Sequence, residues 1–301
     1  MFKLNLSIII VLSISFLSCL KEVSEPIEPA VLKKLKLIPA EPVNVIYLNV
    51  KNIKKSKYWK EIINDDIVVN QPKNKTIFDT LGIDFNKDID EIIFASQWDD
   101  VNTYIITLNK PIKGKHINLN LENFNYLIID ENILFITNDE RNFEKVRLDD
   151  YNYSFVKNPL FRRMINSIHY KEHFWFITRN TSLFLKVLRN GNSNDEKLEK
   201  LSRSLNFINF SVKLDKDMSI NSRWECVDET YANLLRGILN GIISMAALTE
   251  PNDPFVKEIS KANVLVENKG VDIFLKISKD KIDLIKQSVI ANKLKRLTDY
   301  E

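Results

Sequence analysis

The sequence predicts an α+β fold of two similar halves, with antiparallel-rich sheets packed by helices. Three observations carry this. The order strand, helix, two strands, connector, two strands, helix occurs twice, at a spacing of about 125 residues. Short polar turns, Asp130-Glu131-Asn132, Asp215-Lys216-Asp217 and Asn268-Lys269-Gly270, each join two β-rich runs. One stretch, Asp228 to Leu248, holds a helical apolar period far longer than any strand.

Taken in order, Val43 to Val50 (Val-Asn-Val-Ile-Tyr-Leu-Asn-Val) is rich in β-formers. Ser56 then stands as a candidate N-cap for a helix through Asn64, with Trp59, Ile62 and Ile63 on one face. A short turn at Phe78 to Gly82 precedes two strands, Glu91 to Ser96 and Asn102 to Leu108. A less regular connector from Lys110 to Leu121 leads to strands at Tyr126 to Ile129 and Ile133 to Thr137, and a helix from Asp139 to Leu148 closes residues 43–150.

The second half, residues 151–301, opens with a helix at Pro159 to Ser167, Pro159 suiting a first helical position. Phe174 to Thr178 is continuously apolar, as in a strand covered on both faces. Thr181 is the expected N-cap of the next helix, with Phe184, Val187 and Leu188 at the offsets that Trp59, Ile62 and Ile63 have from Ser56. Asn206 to Leu214 and Met218 to Cys226 form a hairpin. After the long helix, Asn263 to Glu267 pairs with Val271 to Ile277, and a last helix spans Lys279 to Lys295.

The long helix repeats apolar residues at Tyr231, Leu234, Leu235, Ile238, Ile242, Met245 and Ala246, while Arg236 and Asn240 interrupt what would otherwise read as a membrane span. Two of the chain's six glycines, Gly237 and Gly241, sit four apart on it. Each costs a helix about 1 kcal/mol relative to alanine, so a compensating close approach to a sheet or helix is expected. A Gly-xxx-Gly dimer face is the sharper alternative.

Ahead of the body lie two further segments. Residues 1–18 have one charge, Lys3, followed by an apolar run from Leu6 to Leu17, which is the pattern of a secretory signal peptide and is too short for a span of about 20 residues. Residues 19–42 hold four of the nine prolines, Pro26, Pro29, Pro39 and Pro42, together with Glu22, Glu25 and Glu28 and the basic cluster Lys33, Lys34 and Lys36. That composition reads as an extended tether of about 3.1 Å per residue.

Phe16-Leu17-Ser18-Cys19 resembles the lipobox of bacterial lipoproteins. The resemblance implies that Cys19 carries a diacylglyceryl group (palmitate being the typical acyl chain), becomes the first mature residue and anchors the chain to the membrane; two acyl chains suffice for stable anchoring. Leu20, not aspartate, follows it, which the same resemblance associates with the outer membrane, on its periplasmic face.

Composition narrows the classes of function. Apolar residues make up 45% of the chain, enough for a large core. Without Lys3, 42 basic side chains stand against 40 acidic ones, a balance that gives no footprint for nucleic acid. With Cys19 modified, only Cys226 remains; no internal disulfide can form, and Cys226 reads as a core thiol in a strand.

Candidate chemistry is sparse. His169 and His173 are four apart, but a strand begins at Phe174 and no glutamate follows His169, so zinc-peptidase spacing is not met. Asp84, Asn86 and Asp88 alternate like the first ligands of a calcium loop, yet Ile89 and Ala95 occupy the positions that need glycine and glutamate. Asp65-Asp66, Asp99-Asp100 and Asp149-Asp150 fall at element ends. No glycine-flanked serine, phosphate-cradling loop or dinucleotide fingerprint is found. Lys51, Lys54, Lys55, Lys57 and Lys60 cluster about the first helix as a solvated basic face or, less simply, as a contact for an anionic partner.

Leu81-Gly82-Ile83-Asp84 with Asp88-Ile89-Asp90-Glu91-Ile92, and Asn158-Pro159-Leu160-Phe161, are similar to features of uncharacterised secreted bacterial proteins with duplicated α+β domains, a group that implies a fold and no activity. The expectation is therefore a non-catalytic, membrane-anchored envelope lipoprotein that binds another envelope protein or a ligand through its body, with no cofactor or metal. The alternatives are a solute-binding lipoprotein of a transporter and an envelope hydrolase. They make different demands: two lobes closing on a cleft, convergent ionisable groups in a cleft, or, for the binding body, an exposed apolar patch.

Overall fold

A computed structural model of the chain describes residues 26–39, 41–58, 81–112, 120–121, 124–182 and 200–285. Its strands are β1 (Asn44–Leu48), β2 (Ile89–Ser96), β3 (Asn102–Leu108), β4 (Asn120–Leu121), β5 (Phe124–Asp130), β6 (Ile133–Thr137), β7 (Phe174–Thr178), β8 (Leu205–Leu214), β9 (Asp217–Cys226), β10 (Asn263–Glu267) and β11 (Gly270–Ser278). The helices are α1 (Pro29–Leu35), α2 (Val50–Lys55), α3 (Phe85–Asp88), α4 (Glu140–Arg147), α5 (Pro159–Asn166), α6 (Glu229–Thr249) and α7 (Pro254–Ile259), and residues 279–285 are also helical.

All the described strands join one antiparallel sheet in the order β10-β11-β9-β8-β7-β1-β2-β3-β6-β5-β4. The class is α+β, as expected. The two halves do not form separate sheets, because β1 pairs with β7 as well as with β2, with Val45 opposite both Ile177 and Ala95. Read outward from that central pair, β1-β2-β3-β6-β5 and β7-β8-β9-β11-β10 are the same order.

Strand alternation sends successive side chains to opposite faces, and the register tells which residues share one. Val45, Tyr47, Ile93, Ala95, Ile105, Phe135, Trp175 and Ile177 lie on the first face, where α1, α4, α5 and Phe155 cover them in the largest core cluster. Tyr47 stacks on Trp175 at 5.3 Å and Phe155 meets Phe161 at 4.7 Å. On the second face, Ile208, Trp224 and Val271 pack under Ala232, Leu235 and Leu239 of α6, and Ile106, Leu134 and Ile136 pack with Val50 and Ile83.

The helices start where side chains accept the first free amides. Asp139 accepts from Arg141 N at 3.0 Å for α4, Asn158 from Leu160 N at 3.0 Å for α5, and Asp228 from Tyr231 N at 3.0 Å for α6. Two expected caps move. Ser56 closes a helix instead of opening one: α2 starts at Val50, with Asn49 Oδ1 accepting from Asn52 N at 2.9 Å. Thr181 is already helical, so it sits inside the first turn; the faces built on Trp59, Ile62, Ile63 and on Phe184, Val187, Leu188 lie outside the described residues.

The tether reading of residues 19–42 is corrected over its second part. Pro29 is the first residue of α1, a position where its missing N–H costs nothing, and Val31, Leu35, Leu37 and Ile38 are buried in the main core. Phe155 N donates to Ile38 O at 3.1 Å, and Pro39 bridges Ser154. Four such side chains bury about 1.5–3 kcal/mol each; proline content indicated a spacer, and apolar spacing at Val31 and Leu35 decided for a packed helix.

Lys34, part of the basic cluster in the expected tether, is 6% exposed. Its ammonium meets Glu91 Oε2 and donates to Thr107 Oγ1 at 3.2 Å, while Tyr47 donates to Glu91 Oε1 at 3.2 Å and Asn49 Nδ2 to Tyr47 Oη at 3.2 Å. Burial pulls the Lys34 ammonium down to about 8, against Glu28 and Asp90. This network fastens α1 to β1, β2 and β3.

Candidate functional site

In the second half of the sheet the first face turns polar. Along β9 the alternation Asp217, Ser219, Asn221, Arg223, Glu225 points to one side and Met218, Ile220, Trp224, Cys226 to the other; Asn209, Ser211 and Lys213 of β8 and Asp272, Phe274 and Lys276 of β11 pair into the same side. This side is anchored at two depths. Arg223 donates from Nη1 to Asp272 at 2.8 Å, from Nε to Glu225 at 3.1 Å and from Nη2 to the Glu267 carbonyl at 3.3 Å. Burial alone would lower the Arg223 pKa; Asp272 and Glu225 outweigh it and raise it. Asn209 Nδ2 donates to Ser167 Oγ at 2.6 Å, and Tyr170 N to Ser211 Oγ at 3.2 Å, so the chain leaving α5 crosses this face.

Where that crossing chain meets the β8–β9 tip lies a cavity of about 480 Å³. His169, Tyr170, Lys171 and Glu172 form one wall, Lys213, Asp215, Lys216 and Asp217 the tip, and Ser219 and Lys276 the floor. Lys276 pairs with Asp217 at 3.3 Å, and Lys213 lies 3.6 Å from Asp215 and 3.9 Å from Glu172. The His169 ring stands edge-on to Tyr170 at 4.7 Å and to Phe274 at 5.5 Å. Tyr58 fastens the tip from the other side, donating to the Lys216 carbonyl at 3.2 Å.

A second surface is apolar. α6 packs by Ala232, Leu235 and Leu239, leaving Leu234 and Met245 54% and Leu248 81% exposed, with Tyr231 and Ile242 also exposed. By length and composition it would suffice to cross a bilayer. The expected close approach at its glycines is absent: a Cβ built on Gly237 or Gly241 meets nothing within 4 Å.

Of the residues singled out in the sequence, Cys19, Asp65, Asp66 and Lys60 lie outside the described residues. His169 lines the cavity, whereas His173 is buried just before β7, its carbonyl accepting from Asn49 N at 2.8 Å. α5 ends at Asn166, so the two imidazoles are separated by a turn and not by one helical step. The Asp84 to Asp88 run folds into the single turn α3, with Asp88 Oδ2 accepting from Asp84 N at 2.8 Å and pairing with Lys110 at 2.6 Å. Asp100 and Asp149 occupy positive-φ turn positions. The basic residues of α2 are partly spent on the body: Lys51 pairs with Asp90 at 3.4 Å and Lys54 donates to the Ile89 carbonyl at 3.1 Å. Cys226 is a buried free thiol, its pKa pushed up to about 12 by burial, with Glu225 and Asp228 adding to the shift. Among the described residues no three His, Cys, Asp or Glu side chains converge as a metal site.

Sequence reasoning missed the polar face and its cavity. The signal was present in the strict alternation Asp217-Met218-Ser219-Ile220-Asn221 and in Asp272-Ile273-Phe274-Leu275-Lys276. What it lacked was the crossing of residues 169–172, which only the turn after α5 brings over the strands.

No family model and no curated protein matches the chain. Solved structures of TP0453 are similar to it: crystal form III at 10% identity covers 86% of this chain and 97% of that one with a TM-score of 0.45, and crystal form IV at 10% identity covers 89% and 96% with a TM-score of 0.46.

Proposed function

We propose that the chain is a non-catalytic envelope lipoprotein, anchored through a lipid on Cys19, whose α+β body docks another envelope protein. The observation that carries this reading is the exposed apolar side of α6. α6 packs by Ala232, Leu235 and Leu239 with Ile238 and Ile243 half-buried beside them, yet leaves Leu234, Met245 and Leu248 to water, apolar surface whose burial against a partner is favourable. A body of this kind has a use for that side, and a solute-capturing protein has a weaker claim, since one sheet runs unbroken through both halves where two closing lobes would be needed.

The packed α1 adds a geometric consequence. With residues 27–38 belonging to the body, the stretch from Cys19 to Pro26 can span at most about 28 Å between lipid and body. The body therefore works close to the membrane, and its partner is a membrane-proximal protein.

Chemical crosslinking in the native envelope, then purification from membranes and mass spectrometry of partners and of the Cys19 peptide, tests this. A stoichiometric partner crosslinked to α6 and a diacylated Cys19 are expected. An unmodified, cleaved N-terminus with no partner would overturn the reading in favour of a free periplasmic binder.

A further inference from the structure

We propose that the cavity at the β8–β9 tip binds a small zwitterion, a ligand with an ammonium group at one end and a phosphate or carboxylate at the other. The volume, about 480 Å³, exceeds what a lone ion fills and falls in the roughly 300–1,000 Å³ range of small-molecule sites. The lining interleaves both signs: Lys216 and Lys276 offer ammonium donors, and Asp215, Asp217 and Glu172 offer carboxylates. A uniformly basic wall would select a simple anion and a uniformly acidic one a cation. Interleaved signs favour a dipolar ion, whose two ends each find an opposite charge and avoid a like one.

Exchange of partners is cheap here. The pairs across the wall are long and partly exposed, Lys276 with Asp217 at 3.3 Å and Lys213 with Asp215 at 3.6 Å, and exposed pairs are worth only about 0–1 kcal/mol. A ligand that inserts between them gives up little and gains contacts to both partners. Tyr170 and His169, set edge-on, supply an aromatic wall that suits the ligand's ammonium end. The frame is rigid before any ligand arrives: the floor is paired strand, the tip is held by Tyr58 and the wall by the Tyr170 amide on Ser211. The site is on different elements from the apolar side of α6, so its test and that of the docking reading fail independently.

The chemistry fits a free solute of the envelope and the headgroup of a zwitterionic lipid alike. Calorimetric titration of the full chain in neutral detergent micelles at low ionic strength, with O-phosphoethanolamine, inorganic phosphate and ethanolamine as separate probes, decides. Saturable one-to-one binding of phosphoethanolamine is expected, with phosphate and ethanolamine each weaker by about tenfold or more, the loss for one missing charged contact. Lys216→Gln and Asp215→Asn each weaken phosphoethanolamine by about tenfold while their unfolding temperatures stay at the unsubstituted value, since both positions are exposed at a turn. Equal affinity for phosphate and phosphoethanolamine, no binding of any probe, or binding unchanged in both variants overturns the proposal. With phosphatidylethanolamine mixed into the micelles, a headgroup ligand competes and lowers the apparent affinity for the free compound, whereas a solute ligand leaves it unchanged.

Discussion

The guanidinium of Arg223 lies over Gly270, in the space a side chain there would fill: a Cβ on Gly270 would clash with Arg223 Cζ, Nη2 and Nε. Gly270 opens β11 opposite Glu225, and the neighbouring pair Asp272 and Arg223 share a register position. The glycine thus lets one arginine reach Asp272, Glu225 and the Glu267 carbonyl together. Gly270→Ala pushes the guanidinium aside and weakens its pairing with Asp272 and Glu225. A loss of about 1–3 kcal/mol in denaturant unfolding is expected, and Arg223→Ala in the Gly270→Ala background adds less than it does alone. Full additivity would show that the two residues are not coupled.

The buried ammonium of Lys34 predicts a strongly destabilised Lys34→Ala. The variant leaves the Glu91 carboxylate, whose side chain is 16% exposed, facing Thr107 and Tyr47 without a cation. Breaking such a pair costs about 3–5 kcal/mol. Lys34→Met combined with Glu91→Gln removes both charges and recovers most of the loss. Limited proteolysis between residues 29 and 38 is a direct readout, because detachment of α1 exposes that segment first.

On α6 the expectation has the opposite sign. Since nothing lies within 4 Å of a Cβ at Gly237 or Gly241, Gly237→Ala and Gly241→Ala each stabilise the isolated chain by about 1 kcal/mol through helix propensity. Thermal unfolding measures this. A destabilisation instead would mean that the glycines face a neighbour in the folded body.

Alkaline pH weakens the fold through Cys226. Its thiol, pushed up to about 12 by burial with help from Glu225 and Asp228, keeps its proton when folded, while in the unfolded chain it ionises near its ordinary value of 9.0. The contribution is complete below that value and is lost as pH rises toward about 12. Tyr47, raised from 10.0 to about 12 chiefly by burial, acts in the same direction. Stability measured from pH 8 to pH 11 by chemical denaturation falls in the parent chain and falls less in Cys226→Ala, with a single-group slope of at most about 1.4 kcal/mol per pH unit. Alkylation of Cys226 is correspondingly slow until the chain unfolds.

Acid acts through His173. Burial lowers its pKa below 6.5, while Asp215 and Glu172 oppose the shift, so the unfolded chain takes up a proton that the folded chain does not. Stability is present above 6.5 and declines as pH falls through it. His173→Gln is expected to flatten the profile between pH 7 and pH 5; an unaltered slope would assign the acid sensitivity elsewhere.

Much of the strand pattern could be read directly. Asn102–Leu108, Ile133–Thr137, Phe174–Thr178 and Asn263–Glu267 have the bounds their β-branched and aromatic runs indicate, because these runs end at polar turns that cannot continue a ladder. The helix at Glu229–Thr249 was equally plain, since its period of 3.6 is sustained and Asp228 caps it. α1 was hidden because proline at a first helical position and proline in a spacer look alike over a short window. α2 was displaced because Val50, a strong strand former, stands at its first position, and Asn49 rather than Ser56 was the acceptor that mattered.

Local order along the chain determined which stretches are strands, which are helices and where they turn, since those choices depend on side chains a few residues apart. It also placed Cys226 in a core and left the long helix with more apolar surface than one face needs. Tertiary structure alone decided the rest. The pairing of β1 with β7 made one sheet of two halves, a contact between residues about 130 positions apart. The depth of Lys34 beside Glu91, the fit of Arg223 over Gly270 and the cavity between His169 and Lys276 depend on which strands lie side by side and which face a crossing segment covers. Residues distant in sequence acquire such neighbours only when the whole sheet closes, so no local pattern can encode them.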